Sequence, residues 1–289
     1  MSSNRSGPRR VALRLNRTLR QFGIEMYSAP TDSLGYGTDE TNSLRNLALR
    51  SLARAGYGLR RSHAPDVRPE VASIVETVRP YTMTSQASIV GLCEAVEYLV
   101  QNRLEGSIVE CGVWRGGSMM AAALMLLTLG ASDRDIYLFD TFTGMPRPGD
   151  RDASIAHPER PTLTRWERDD RGAFNEWAYT PVDQVRANVI STGYPPQRVH
   201  LVAGRVEESI PAHAPTSIAL LRLDTDWYSS TKHELDHLYP RLAPRGILIL
   251  DDYGSWAGAR QAADEYLPVS ELFLARLDSF ARIAVKPET

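Results

Sequence analysis

From Ser85 onward the chain alternates two patterns. Short, nearly continuous apolar runs, "SIVECGV", "DIYLFD", "RVHLVAG", "IALLRLD" and "ILILDD", have the length and β-branched content of buried strands. Between them lie segments in which apolar residues recur every three or four positions: "SQASIVGLCEAVEYLVQN", "GGSMMAAALMLLTLG", "VDQVRANVISTG", "SSTKHELDHLYPRLAPRG" and "WAGARQAADEYL". That spacing predicts helices. Strands that are apolar on both faces, alternating with helices, predict a mainly parallel, doubly wound α/β sheet covered on both sides. "ELFLARLDSFARIAVK" predicts two final strands joined by a turn at "LDSF", a C-terminal antiparallel hairpin on that sheet.

The pattern is broken twice. Residues 1–80 are less regular and predict a helical, partly irregular N-terminal extension. Within it, "GPRRVALRLNRTLRQFG" is amphipathic with arginines on one side, and "DETNSLRNLALRSLARAG" has a helical period ending at Gly56. The main domain is placed at 81–289. Inside it, residues 143–180 are rich in Pro, Gly and charge. A connection this long is usually functional, and Trp166, Phe174, Trp177 and Tyr179 give it something to bury, so it predicts a lid.

Composition narrows the class. The 289 residues carry a formal net charge of −2, which gives no footprint for nucleic acid. No run approaches the roughly 20 apolar residues of a membrane helix, and the start lacks the apolar core of a secretory signal. The two cysteines, Cys93 and Cys111, form no CxxC and fit a reducing cytoplasm. Nearly all the cations are arginine; the lysines are Lys232 and Lys286. A homo-oligomer is expected.

In an open parallel sheet, ligands bind beyond the carboxyl ends of the strands. The acidic residues of interest fall there: Glu110 and Gly112 at the first strand, Asp140 at the second, Asp224 and Asp226 at the fourth, Asp251 and Asp252 at the fifth. The first turn, "ECGVWRGGS", has glycines at 112, 116 and 117, which let backbone pass close to a ligand. It is neither GxGxxG nor a GK[ST] loop, so it does not predict a phosphate cradle. Ser118 caps the next helix or binds a carboxylate. Asp140 can accept hydrogen bonds from a ribose diol. With Glu110 and Ser118 it points to an adenosine-containing ligand with an amino-acid end.

Asp224, Asp251 and Asp252 lie on strands expected to be neighbours. Three carboxylates with no His or Cys beside them suit a hard divalent cation, above all Mg²⁺. A cation also relieves the repulsion that such crowding creates. Asp226 precedes a helix and is a plausible cap for it. His233 and His237 are four apart on a helix, but without an HExxH pattern they are expected to be exposed helix residues.

In order and spacing, "SIVECGVWRGGS", "YLFDTFTGMPRP", "RVHLVAGRVEESIP" and "IALLRLDTDWYSSTKHELDHLYPRLAPRGILILDDYGSWAGARQAADEYL" resemble the macrocin O-methyltransferase family over about residues 80–287. The resemblance implies a Rossmann-like class I methyltransferase fold that uses S-adenosyl-L-methionine and Mg²⁺ to methylate a sugar hydroxyl of a natural-product glycoside. It implies that Thr82 and Met83, in "RPYTMTS", cover the methionine end of the cofactor, and that Gly204 and Val206 flank the adenine. Phe142 is expected near the ribose or adenine, or else packed in the lid. Asp226 is implied as the general base, and Tyr253, Trp256 and Arg260 as the acceptor side. A more distant similarity to catechol O-methyltransferase also keeps a catechol or phenol acceptor open. There a basic lysine lies three positions after the metal aspartate; here that position is Trp227. A non-catalytic cofactor-binding member of the family is a further alternative.

Overall fold

The computed structural model describes residues 24–28, 57–61, 64, 66–267 and 272–288. The chain divides into two compact units, Met1–Arg68 and Pro69–Thr289. In the first, strands β1 (Ile24–Ser28) and β2 (Tyr57–Arg61) pair antiparallel. The N-terminal extension therefore contains a two-stranded sheet that the irregular pattern did not predict. Both predicted N-terminal helices lie outside the described residues.

The second unit begins at Pro69, twelve residues before the expected position 81 (81 − 69). Helix α1 (Pro69–Val78) buries Val71, Ile74, Val75 and Val78, a spacing of three and four that makes one apolar stripe. After it come α2 (Gln86–Gln101), β3 (Ser107–Cys111), α3 (Gly117–Thr128) and β4 (Ile136–Asp140). The insert contributes α4 (Thr162–Asp169). Then follow α5 (Val182–Ile190), β5 (Val199–Ala203), the single turn α6 (Val206–Ser209) and β6 (Ile218–Leu223). The chain ends with α7 (Tyr228–Leu238), β7 (Leu242–Leu250), α8 (Ala257–Tyr266), β8 (Ala275–Arg276) and β9 (Arg282–Val285).

The sheet order is β5-β4-β3-β6-β7-β9-β8, with the first five strands parallel and the last two antiparallel. The doubly wound sheet and the terminal hairpin are as the pattern predicts. Winding runs outward from β3 to β4 and β5, then returns to β6 and β7 on the other side. The switch between β3 and β6 opens a crevice at their carboxyl ends. All six residues of β6 are buried, as expected of a central strand. Helix α3 is buried nearly all round, which explains its run of Met, Ala and Leu.

The insert is closed on itself and tied to the start of α8 by backbone hydrogen bonds. Met145 N–H donates to Trp177 O (3.0 Å), and Asn175 N–H to Thr143 O (2.8 Å), closing the loop on itself. Its first part is hydrogen-bonded to the start of α8: Ile155 N–H to Ser255 O (2.8 Å) and Ala257 N–H to Ala153 O (2.9 Å). Trp177 packs against Trp227 and Trp256 with ring centroids 5.6 and 5.7 Å away. Burying these rings offsets the ordering of a long, polar connection.

Candidate active site

A cavity of about 410 Å³ opens at the switch point. It is lined by Glu110 of β3, Gly112 just after it and Ser118 of α3, by Asp140 at the end of β4, and after β5 by Gly204 and Val206. Asp224 and Asp226 after β6, and Asp251 and Asp252 after β7, complete it. Thr82 and Met83 lie on its wall, with Met83 69% exposed and so not a core residue. Phe142 is not among the lining residues. At φ +53° its N–H donates to Asp140 Oδ1 (2.7 Å) and its side chain is buried, so the ring is packed in the fold rather than offered to a ligand. Trp256 lines the cavity, whereas Tyr253 and Arg260 are outside the lining. Tyr253 hydroxyl instead donates to Asp264 (2.6 Å), and Arg260 pairs with the same carboxylate (3.6 Å). His233 and His237 are half-buried with rings 4.3 Å apart, away from the cavity.

The glycine turn works differently from the expectation. A Cβ on Gly112 would lie 1.8 Å from the carbonyl oxygen of Asp224, and one on Gly117 2.5 Å from that of Tyr81. These glycines admit the protein's own backbone. They bring the turns after β3 and β6, and the "RPYTMTS" segment, into contact. Gly204 differs: at φ +134° its Cβ position faces nothing within 4 Å, the open space a planar ligand requires.

Asp140 holds the turn together. Oδ2 accepts from Val113 N–H (2.7 Å) and Trp114 N–H (3.2 Å). Burial raises its pKa, and those amides partly offset the effect. Asp140 thus organises the crevice besides facing it. Ser118 does not cap α3, whose N-cap is Gly116 in a left-handed conformation. Its hydroxyl is buried, 3.4 Å from Thr84 Oγ. Glu110 is buried as well, and its Oε2 has no hydrogen-bond partner, a demand that a ligand N–H group can meet. Burial pushes Glu110 up to about 7 against the pull of Arg222.

Asp224, Asp251 and Asp252 each offer an oxygen, all within 4.8 Å of one another. Burial, together with neighbouring carboxylates, raises the pKa of both Asp224 and Asp252 well above the ordinary value. Asp226 follows at φ +67°, a conformation that costs a non-glycine residue energy. Its N–H donates to Asp252 Oδ2 (3.0 Å), which holds that turn. Asp226 does not cap α7; Asp152, in the insert, accepts from Tyr228 N–H instead. Burial and crowding by Asp224 and Asp251 push Asp226 up to about 7. A bound divalent cation would offset such crowding and favour the ionised carboxylates, because it would be the largest single charge in the site. Trp227 is turned away, its Nε1–H donating to Pro146 O (2.9 Å), so no base stands at that position.

Sequence reasoning missed three side chains here. Arg222 contacts Glu110, Asp224, Asp251 and Thr84. Its signal was available: an arginine inside "IALLRLD" is anomalous for a central parallel strand. Thr84 and Asp278 also line the cavity. Asp278, at the hairpin turn, accepts from the hydroxyls of Ser85 and Ser88 (the latter at 2.8 Å). Nothing in "LDSF" separated it from an ordinary turn residue.

A model of the macrocin O-methyltransferase family (TylF) matches residues 30–280. The chain is 31% identical over 215 residues, 72% of its own length and 78% of the relative's, to 8-demethyl-8-(2,3-dimethoxy-α-L-rhamnosyl)-tetracenomycin-C 4'-O-methyltransferase of Streptomyces olivaceus. It is 30% identical to demethyldecarbamoylnovobiocin O-methyltransferase of Streptomyces niveus, over 64% of this chain and 67% of that one. Among solved structures it is similar to the O-methyltransferase NovP, with a TM-score of 0.62 and 26% identity over 72% of this chain and 82% of that one. The fold also matches the calicheamicin methyltransferase CalS11, with a TM-score of 0.54 and 22% identity over 77% and 93% of the two chains.

Proposed function

The chain belongs to the macrocin O-methyltransferase family and is an O-methyltransferase, and we propose that it transfers the methyl group of S-adenosyl-L-methionine to a sugar hydroxyl of a glycosylated natural product, with Mg²⁺ as the metal. The observation that carries this reading is the convergence of Asp224, Asp251 and Asp252 on the cavity that the glycine turn and Asp140 also line. Relatives named as rhamnosyl-tetracenomycin, mycinamicin and novobiocin-type methyltransferases support the glycoside class.

The donor set fits a divalent cation. Three hard carboxylate oxygens cluster, Glu110 and Asp226 line the same cavity beside them, and the guanidinium of Arg222 is bonded to Glu110, Asp224 and Asp251. Asp224, Asp251 and Asp252 would hold it. When bound, the ion would lower the pKa of chelated hydroxyls and fix their orientation.

The cofactor also fits. Gly204 leaves open space, the unpartnered Oε2 of Glu110 suits an ammonium group, and Ser118 and Thr84 present hydroxyls at the start of α3. S-adenosylmethionine would supply the electrophilic methyl group. The protein's own part is orientation, exclusion of water and removal of one proton. Trp177 of the insert and Trp256 wall the cavity beside Asp226, with Trp227 packed behind them, which would exclude water. Asp226 would take the proton of the sugar hydroxyl at a side-chain oxygen, since it faces the cavity two residues past Asp224.

The test is methyl transfer from labelled S-adenosylmethionine to a panel of glycosides and catechols, with and without Mg²⁺. Methylation of glycosides dependent on Mg²⁺ is expected. Turnover of the catechols alone would transfer the reading to a phenolic acceptor.

A further inference from the structure

Resting on the metal reading above, we propose that Arg222 is the positioning residue of the cation site: its guanidinium takes one oxygen from each of Asp224 and Asp251 and so leaves the other oxygen of each committed to the ion. Arg222 is 1% exposed in the middle of a buried strand. Its Nη1 donates to Glu110 Oε1 and Asp224 Oδ2, both at 2.6 Å. Its Nη2 donates to Asp251 Oδ1 (2.6 Å) and Thr84 Oγ (2.8 Å). Two nitrogens carrying four N–H groups thus meet four acceptors.

The four acceptors come from four places. Glu110 stands beside Arg222 in the β3–β6 register, Asp224 follows β6, Asp251 follows β7, and Thr84 precedes α2. Left to themselves, Asp224 and Asp251 would rotate apart, because two carboxylates at this range repel. A planar guanidinium fixes both the separation and the rotamers of the acids it bridges. Arg222 carries positive charge beside a site for another cation, which by itself weakens metal binding. The role proposed for it at the site is therefore one of geometry, since its charge alone would disfavour a second cation. Each bridged carboxylate keeps one oxygen, and Asp252 adds a third.

Lysine separates geometry from charge. Arg222→Lys keeps the charge, but its single nitrogen has three N–H groups and no fork. Mn²⁺ binding to the cofactor-free protein, followed by electron paramagnetic resonance, reads the site without turnover. The Mn²⁺ Kd is expected to rise about 10-fold or more in Arg222→Lys, as for other residues that orient metal ligands. Thr84→Val releases one anchor of the guanidinium without burying a new charge, and is expected to raise the Kd roughly threefold. A folded Arg222→Lys protein with unchanged or tighter Mn²⁺ binding would overturn the proposal, since a mere counter-ion is replaced by lysine. If Arg222→Lys does not fold, Thr84→Val decides: a raised Kd supports the positioning role and an unchanged Kd rejects it. A wild-type protein that binds no Mn²⁺ at all removes the metal reading and this one together, whereas wild-type binding with an insensitive variant removes only this one.

Discussion

The side chain of Asp152 caps a helix that begins 76 residues later: its Oδ1 accepts the N–H of Tyr228 at 2.8 Å. Its other oxygen accepts from Gly149 N–H at 2.7 Å, so one buried carboxylate joins the insert to the first turn of α7. Replacing Asp152 by alanine removes both acceptors and is expected to cost on the order of 2 kcal/mol. Asp152→Asn retains a carbonyl oxygen for one of them and should lose less. Chemical denaturation of the three proteins measures this; equal stability of all three would mean that the insert is held without the cap.

Asp140→Ala should lower both stability and cofactor affinity. Three backbone N–H groups, of Val113, Trp114 and Phe142, lose their acceptor, each costing about 1 kcal/mol or more where buried. Calorimetry with S-adenosylmethionine, run beside thermal unfolding, reads both effects. Weakened cofactor binding with unaltered unfolding would show that Asp140 contacts the ligand without supporting the turn.

Exhaustive chelation should abolish methyl transfer, and added Mg²⁺ should restore it. Asp251→Asn and Asp252→Asn should each raise the Mg²⁺ concentration for half activity, because a neutral amide is a poorer ligand than a carboxylate. Full turnover in protein shown to be metal-free would dispose of the metal.

Asp226→Asn should lower the rate about 100- to 10,000-fold, the usual loss for a general base. Mn²⁺ affinity should stay near wild type, since Asp224, Asp251 and Asp252 are unchanged. The capping explanation no longer competes, because Asp152 caps α7. Near-normal turnover, or rescue by excess Mg²⁺, would reject the base.

Glu234 makes stability depend on pH. It is fully buried on α7, and burial, reinforced by the charges of Glu207 and Asp252, raises its pKa well above the ordinary 4.5 despite the hydrogen bond from Thr225. The folded state therefore holds this proton more tightly than the unfolded chain does. Stability attributable to it is present below about pH 4.5 and declines as pH rises toward the folded value. Glu234→Gln cannot ionise, so its melting temperature should gain on wild type between pH 5 and pH 8. A difference that does not change with pH would exclude Glu234 as the titrating group.

Much of this was legible in the chain. Continuous apolar runs ending in Asp140, Asp224, Asp251 and Asp252 placed four acids at strand ends, because a parallel sheet fixes where its loops collect. The 3.6-residue period located α2, α3, α5, α7 and α8, and "LDSF" marked the turn between β8 and β9. In the described residues no helix is long and apolar enough to cross a membrane, matching the hydropathy. The rest depended on side-chain direction. Phe142 looked like a ligand contact, but a left-handed turn held by Asp140 buries it. Gly112 and Gly117 looked like room for a ligand, but their space is filled by Asp224 and Tyr81 backbone.

The sequence by itself determined the sheet, its helices and the end of the molecule where acids gather, because these follow from local period and from strand order. Only the tertiary structure decided which partners those acids have. Arg222 reaches Glu110 across 112 residues of chain, Thr84 across 138 and Asp251 across 29. Periodicity carries no information at such separations. What joins these groups is the burial of β6 between β3 and β7, which leaves a charged side chain in the core no solvent and requires it to find its counter-charges within the fold.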